Sequence, residues 1–151
     1  MDGKMKIPCL SLWQPWASIC FEHDGEGHPI KVDETRHWPT RVSGLVALHA
    51  AKTKVGMEDI WEDELNPYGL SYQTMPYGAI LGVVRITACH RTEDIRSRRT
   101  DSQLYWGNYG PGRFAFEMGV RHKFDEPIPY RGQQGFFSVE IPDQLVPRGL
   151  R

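Results

Sequence analysis

This chain has no cysteine pair at metal or redox spacing, no long apolar run and almost no net charge. Its cysteines, Cys9, Cys20 and Cys89, are odd in number, and no two form C-x-x-C. Neither a disulfide framework nor a zinc site is therefore expected. Each sits among apolar residues and reads as a small buried hydrophobe. The histidines show no H-E-x-x-H or similar spacing, so no metal is expected, and no cofactor. No apolar stretch approaches the roughly 20 residues that cross a bilayer. The opening MDGKMKIPCLSLW lacks the apolar segment and small-residue cleavage site of a signal peptide. The expectation is a cytoplasmic protein with no membrane partner. A net charge of −1 argues against a strong non-specific duplex binder, whose affinity comes from many phosphate contacts. It leaves room for a local basic pocket.

What is present suits one domain. A chain of 151 residues is large enough for one core, and 25% charged residues with 40% hydrophobic ones is an ordinary globular mixture. Residues 1–144 read as the domain. The tail LVPRGLR (145–151) resembles a thrombin recognition sequence and receives no functional weight.

Strand-forming runs occur at IPCLSLW (7–13), IKVDETRHW (30–38), SGLVALHA (43–50), GAILGVVRITACHR (78–91), RFAFEMGVRHKF (113–124) and GFFSVEI (135–141). Pro15 suits the first turn of a helix over 15–23, with Trp16, Ile19 and Cys20 on one face. An acidic helix is expected within 56–69, ended by Asn66, Pro67 and Gly69. Residues 92–112 and 125–135 read as loops. Alternation puts Ile80, Val84, Ile86 and Ala88 on one face of their strand. It groups Phe114, Phe116, Met118, Val120 and Phe124 on one face of the next, opposite Glu117, Arg121 and Lys123. Five or six strands with one or two short helices suggest an α+β fold built on a curled sheet or small barrel.

One run looks chemical. In KVDETRHW, Glu34 and Arg36 share a face with Val32 and Trp38. Buried charges are costly unless paired, so the two either pair with each other or hold a ligand between them. Lys31 faces away in a regular strand and joins them only at a bend. The plain structural reading is an ion pair on an edge strand.

CLSLWQPWASI, IKVDETRHW, SGLVALHAA and PYGAILGVVRITAC, in that order, strongly resemble the ASCH domain, named for its homology to activating signal cointegrator. The family pattern is Gly-x-Lys-x-x-Glu-x-Arg. Lys31, Glu34 and Arg36 match it, while Pro29 occupies the glycine position. Gln14, Pro15, Trp16 and Ala17 match the family's Q-P-W-A run, and PYRGQQGFF (129–137) resembles its closing glycine turn, with Gly132 and Gly135. The resemblance covers most of residues 9–141. It implies a PUA-like small β-barrel of five to six strands with short flanking helices. It also implies binding of RNA or single-stranded nucleic acid, or of a nucleotide or modified base, in a cleft lined by Lys31, Glu34 and Arg36. The Q-P-W-A turn would close that cleft. Gln14 would then reach in with a donor and an acceptor, Trp16 would be core, and Trp13 is open to either role. In this reading Lys31 stands near the cleft mouth, free to meet a phosphate.

Other residues extend the candidate site. His49 and Lys52 follow the apolar run LVAL, although a lone histidine at a strand end is more often structural. Arg91, Arg96, Arg98 and Arg99 precede Tyr105, Trp106 and Tyr109, the mixture of cations and rings that single-stranded nucleic acid sites use. The alternative is a solvated loop that carries its own counter-ions in Glu93, Asp94 and Asp101. Enzymatic readings are the first alternative function. In the family's amidohydrolase branch a threonine stands where this chain has Glu34, and Thr35 turns to the opposite face, which disfavours that mechanism. A ribonuclease is permitted by residue type, with Glu34 or His49 as base and Lys31 or Arg36 as electrophile. A transcription-related protein-interaction module is the second alternative.

Overall fold

The strand-forming runs build six strands: β1 (Lys4–Leu12), β2 (Asp33–Arg36), β3 (Gly44–Ala50), β4 (Ala79–Arg91), β5 (Phe114–Pro129) and β6 (Phe136–Pro142). The structure is a computed structural model and describes residues 3–151. Its helices, α1 (Trp16–Ile19), α2 (Glu62–Leu65), α3 (Thr92–Ile95) and α4 (Asp101–Tyr105), are single turns. The fold is α+β with one mixed sheet in the order β2-β5-β4-β3-β1-β6. All pairs are antiparallel except β1 with β3, which run parallel. No helix among the described residues is long and apolar enough to cross a membrane.

The sheet curls. Phe116 of β5 stacks on Phe136 of β6 with centroids 6.2 Å apart, although three strands separate β5 from β6 in the sheet order. Trp38, just past β2, meets both rings, at 5.4 and 5.9 Å. Among the described residues no ladder joins β2 to β6, so the sheet keeps two edges.

Strand alternation fails where bulges intervene. The β4–β5 register shifts between Ile80 and Gly82, between Val84 and Ile86, and between Ile86 and Ala88. Each odd residue in a bulge reverses the faces beyond it. Ile80 therefore packs with Val83 and Phe124 on one side of the sheet, while Val84 and Ile86 pack with Phe116 and Met118 on the other. Phe124 leaves the face expected for it, Val120 is exposed and Arg121 turns inward. Cys9 and Cys20 are buried as expected, but Cys89 is exposed on the distal part of β4, where only every second residue is covered.

The expected helices are shorter than their patterns. The helix read over 15–23 is one turn, and the acidic stretch breaks into α2 between 3-10 turns at 55–58 and 66–68. Pro67 and Gly69, at φ +69°, end it. The expected loop 92–112 instead carries α3, a 3-10 turn and α4. Thr100 and Gln103 form a reciprocal capping box at the start of α4, a T-x-x-Q signature written in the sequence.

Apolar clusters lie on both faces of the sheet. One gathers Leu10, Leu48, Val84 and Phe116, the other Cys9, Ile80, Val139 and Ile141. Each fully buried Leu, Ile or Phe side chain contributes about 1.5–3 kcal/mol. Residues 145–151, set apart from the domain in the sequence, supply Val146 and Leu150 to the second cluster.

Candidate functional site

β2 divides its side chains between two environments. Glu34 and Arg36 turn to one side, where Arg36 Nε donates to Glu34 Oε2 at 2.9 Å and its NH2 lies 2.8 Å from the same oxygen. The chain bends before β2 and brings Lys31 Nζ to 3.3 Å from Glu34 Oε1. Lys31, Glu34 and Arg36 are thus joined as one network. Lys31 is not at a cleft mouth, however. It is 2% exposed, and its ammonium donates to the Trp106 carbonyl at 2.7 Å. The expectation of a free phosphate-binding lysine is overturned, because the chain from α4 lays that carbonyl over it.

Asp33 and Thr35 turn to the other side. The Thr35 hydroxyl accepts from the Asn108 N–H at 2.9 Å. Asp33, fully buried, receives Arg99 Nε and NH2 at 2.7 and 3.0 Å and the Tyr109 hydroxyl at 2.5 Å. Arg99 NH2 also reaches Glu117 at 3.0 Å. This corrects the reading of Arg99 as a nucleic-acid contact: it is the buried counter-ion of Asp33. The hydrogen bond to Asp33 is the first reason its guanidinium titrates above the ordinary value. Trp106 and Tyr109, read as base platforms, are buried, while Arg91, Arg96, Arg98 and Tyr105 of that set stand exposed.

Gln14 is likewise corrected. It is fully buried, accepts from the Ser18 N–H at 2.9 Å, and donates to the Ser18 hydroxyl and the Pro76 carbonyl at 2.8 and 2.9 Å. All its bonds hold the turn before α1 in place. Trp16 is half-buried against Ile19, Leu65 and Trp106, whereas Trp13 is 54% exposed.

The open concavity lies on the opposite face of β1 from the ionic network. A depression of about 920 Å³ is bounded by Ser11 on β1, His49 on β3, Lys52, Gly78 and the segment 129–134. His49 and Lys52 thus meet at one site, and the segment resembling a closing glycine turn forms its rim. Lys52 is exposed, with its stem lying over Gly78. At φ +66°, and with Lys52 carbons 2.9 Å from where a methyl would sit, only glycine fits at position 78.

Ser11 and His49 are partners in the parallel β1–β3 ladder, so their side chains emerge side by side. Ser11 Oγ lies 2.8 Å from His49 Nδ1, and His49 Nε2 lies 2.7 Å from the Tyr130 carbonyl. A carbonyl only accepts, so Nε2 carries the proton, Nδ1 is the acceptor and the Ser11 hydroxyl donates to it. Burial pushes the His49 pKa below its ordinary value, with the Tyr130 carbonyl acting in the opposite direction.

One bond couples the two regions: Arg36 NH2 donates to the Ser11 carbonyl at 2.8 Å. The β1–β6 ladder ends at Leu10 and Phe136, which leaves that carbonyl to Arg36. Sequence reasoning missed Ser11, Tyr130, Asp33 and Arg121. Arg121 is held inward by the Cys20, Lys31 and Met118 carbonyls. Gly132 of the run resembling a closing glycine turn lies on the rim, but no local pattern marked Ser11. No protein-family model matches the chain.

Proposed function

We propose that this chain is an ASCH-like domain of PUA-like architecture that binds single-stranded RNA, or a nucleotide within it, in the depression between β1, β3 and segment 129–134. The observation that carries the reading is the meeting of Lys52 and Arg131 with Gln133 and Gln134 around one open concavity. The cations suit phosphates, and the amides offer both donors and acceptors to a base edge. The Lys31–Glu34–Arg36 network acts from beneath, because Arg36 fixes the Ser11 carbonyl and with it the floor of the concavity. In this reading the motif positions the site and does not touch the ligand.

Titration of a fluorescently labelled single-stranded RNA at several salt concentrations tests it. Lys52→Ala and Arg131→Ala should each weaken binding about tenfold, the worth of one charge-assisted contact. Each should also flatten the dependence on log salt by about one. Absence of saturable binding by the parent at low salt rejects the reading.

A further inference from the structure

We propose that Ser11 is a nucleophile and His49 its general base, in an acyl-transfer site that hydrolyses small carboxylic esters carrying an anionic group. The inference rests on the geometry of the depression and is independent of the RNA reading.

Three features meet here that nucleophilic catalysis by serine requires. The first is a base at hydrogen-bond distance with its acceptor nitrogen turned to the hydroxyl, which is met at 2.8 Å. The second is a group that fixes the base in that tautomer. The Tyr130 carbonyl does so at the opposite nitrogen, where it can also stabilise the imidazolium that forms. The third is access from solvent. Ser11 is part-exposed and lines the open concavity, whereas His49 is 1% exposed behind it.

The rim fits the same chemistry. A methyl placed on Gly132 would lie 2.7 Å from His49 Cε1 and 3.2 Å from Ser11 Oγ, so the main chain passes directly beside the pair. Among the described residues the backbone N–H groups of Gly132 and Gln133 donate to no protein acceptor. In this proposal they supply the donors for an oxyanion developing beside Ser11. Lys52 and Arg131 favour an anionic group on the substrate.

In the first step Ser11 Oγ bonds to the ester carbonyl carbon while its proton passes to His49 Nδ1. The tetrahedral intermediate then expels the alcohol, which takes that proton as the carbon–oxygen bond breaks. Water, the second reactant, adds to the acyl-serine carbonyl and gives a proton to Nδ1. Collapse releases the acid and returns the proton to Ser11.

A fluorophosphonate probe tests the pair in the intact chain. It should attach to one serine, mapped by peptide mass spectrometry to Ser11. Ser11→Ala should abolish the label, and His49→Gln should slow labelling about 100-fold or more, the usual worth of a general base. Because His49 is buried, the parent's own labelling decides the matter even if His49→Gln fails to fold. Attachment elsewhere, or none during prolonged incubation, overturns the proposal. So does labelling of Ser11 at an unchanged rate in folded His49→Gln. RNA titration of the parent, run beside the labelling, separates the two readings, since saturable binding without labelling or labelling without binding would each reject one of them alone.

Discussion

Arg36 holds Glu34 through Nε at 2.9 Å and, through its terminal nitrogen, the Ser11 carbonyl at 2.8 Å. A charge network on the inner face of the curled sheet is thereby tied to a strand whose outer face carries the Ser11–His49 pair. Removing the network should therefore damage the fold first and the depression second.

Lys31→Ala is expected to destabilise the protein. It removes the donor to the Trp106 carbonyl and one of the two cations on Glu34. Arg36 remains, so the loss should fall near the lower limit for a broken buried pair, about 3 kcal/mol. For a chain of this length that lowers Tm by about 6–12 °C. Thermal unfolding followed by circular dichroism measures it, and an unchanged Tm would contradict the buried placement.

Arg99→Ala and Arg98→Ala should differ sharply, although they are neighbours. Loss of Arg99 strands a fully buried Asp33 and should cost about 3–5 kcal/mol. Loss of the exposed Arg98 should change stability by no more than about 0.5 kcal/mol. Urea denaturation of the two variants provides the comparison; equal effects would refute the assignment.

The three cysteines should react unequally. Burial pushes the Cys9 thiol up to about 12 and the Cys20 thiol to about 11, while Cys89 is exposed. A chromogenic disulfide reagent should titrate one thiol in the native protein and three after denaturation. Rapid reaction of two native thiols would be inconsistent with this core.

Stability should fall on mild acidification because of His49. Its folded pKa lies below the ordinary 6.5, so below that pH the unfolded chain binds the extra proton first. The contribution is present in full above about pH 6.5 and is lost as pH falls through that value toward the lower folded pKa. His49→Gln should remove this part of the profile. If parent and folded variant show the same slope between pH 7 and 5, His49 is not the group responsible.

The sequence by itself determined the strands, because alternation and β-branched runs are local properties. It also determined that Glu34 and Arg36 form a unit, since two residues apart on a strand means one face. Gly132 and Gly135 were marked by the resemblance of their run to a closing glycine turn, not by any local pattern. Tertiary structure decided what each charge does. Lys31 is buried because segment 106–109, some 75 residues later, closes over it. Arg99 is an internal counter-ion because β2 presents Asp33 to it across the fold. Bulges between β4 and β5 decided the faces of Ile80, Phe124 and Arg121, and one extra residue in a ladder leaves no mark in either strand's own pattern. Ser11 and His49 meet only because β1 and β3 pair in parallel, 38 residues apart. Register of that kind is fixed by burying both apolar faces of the sheet at once, a condition no single stretch of the chain can state.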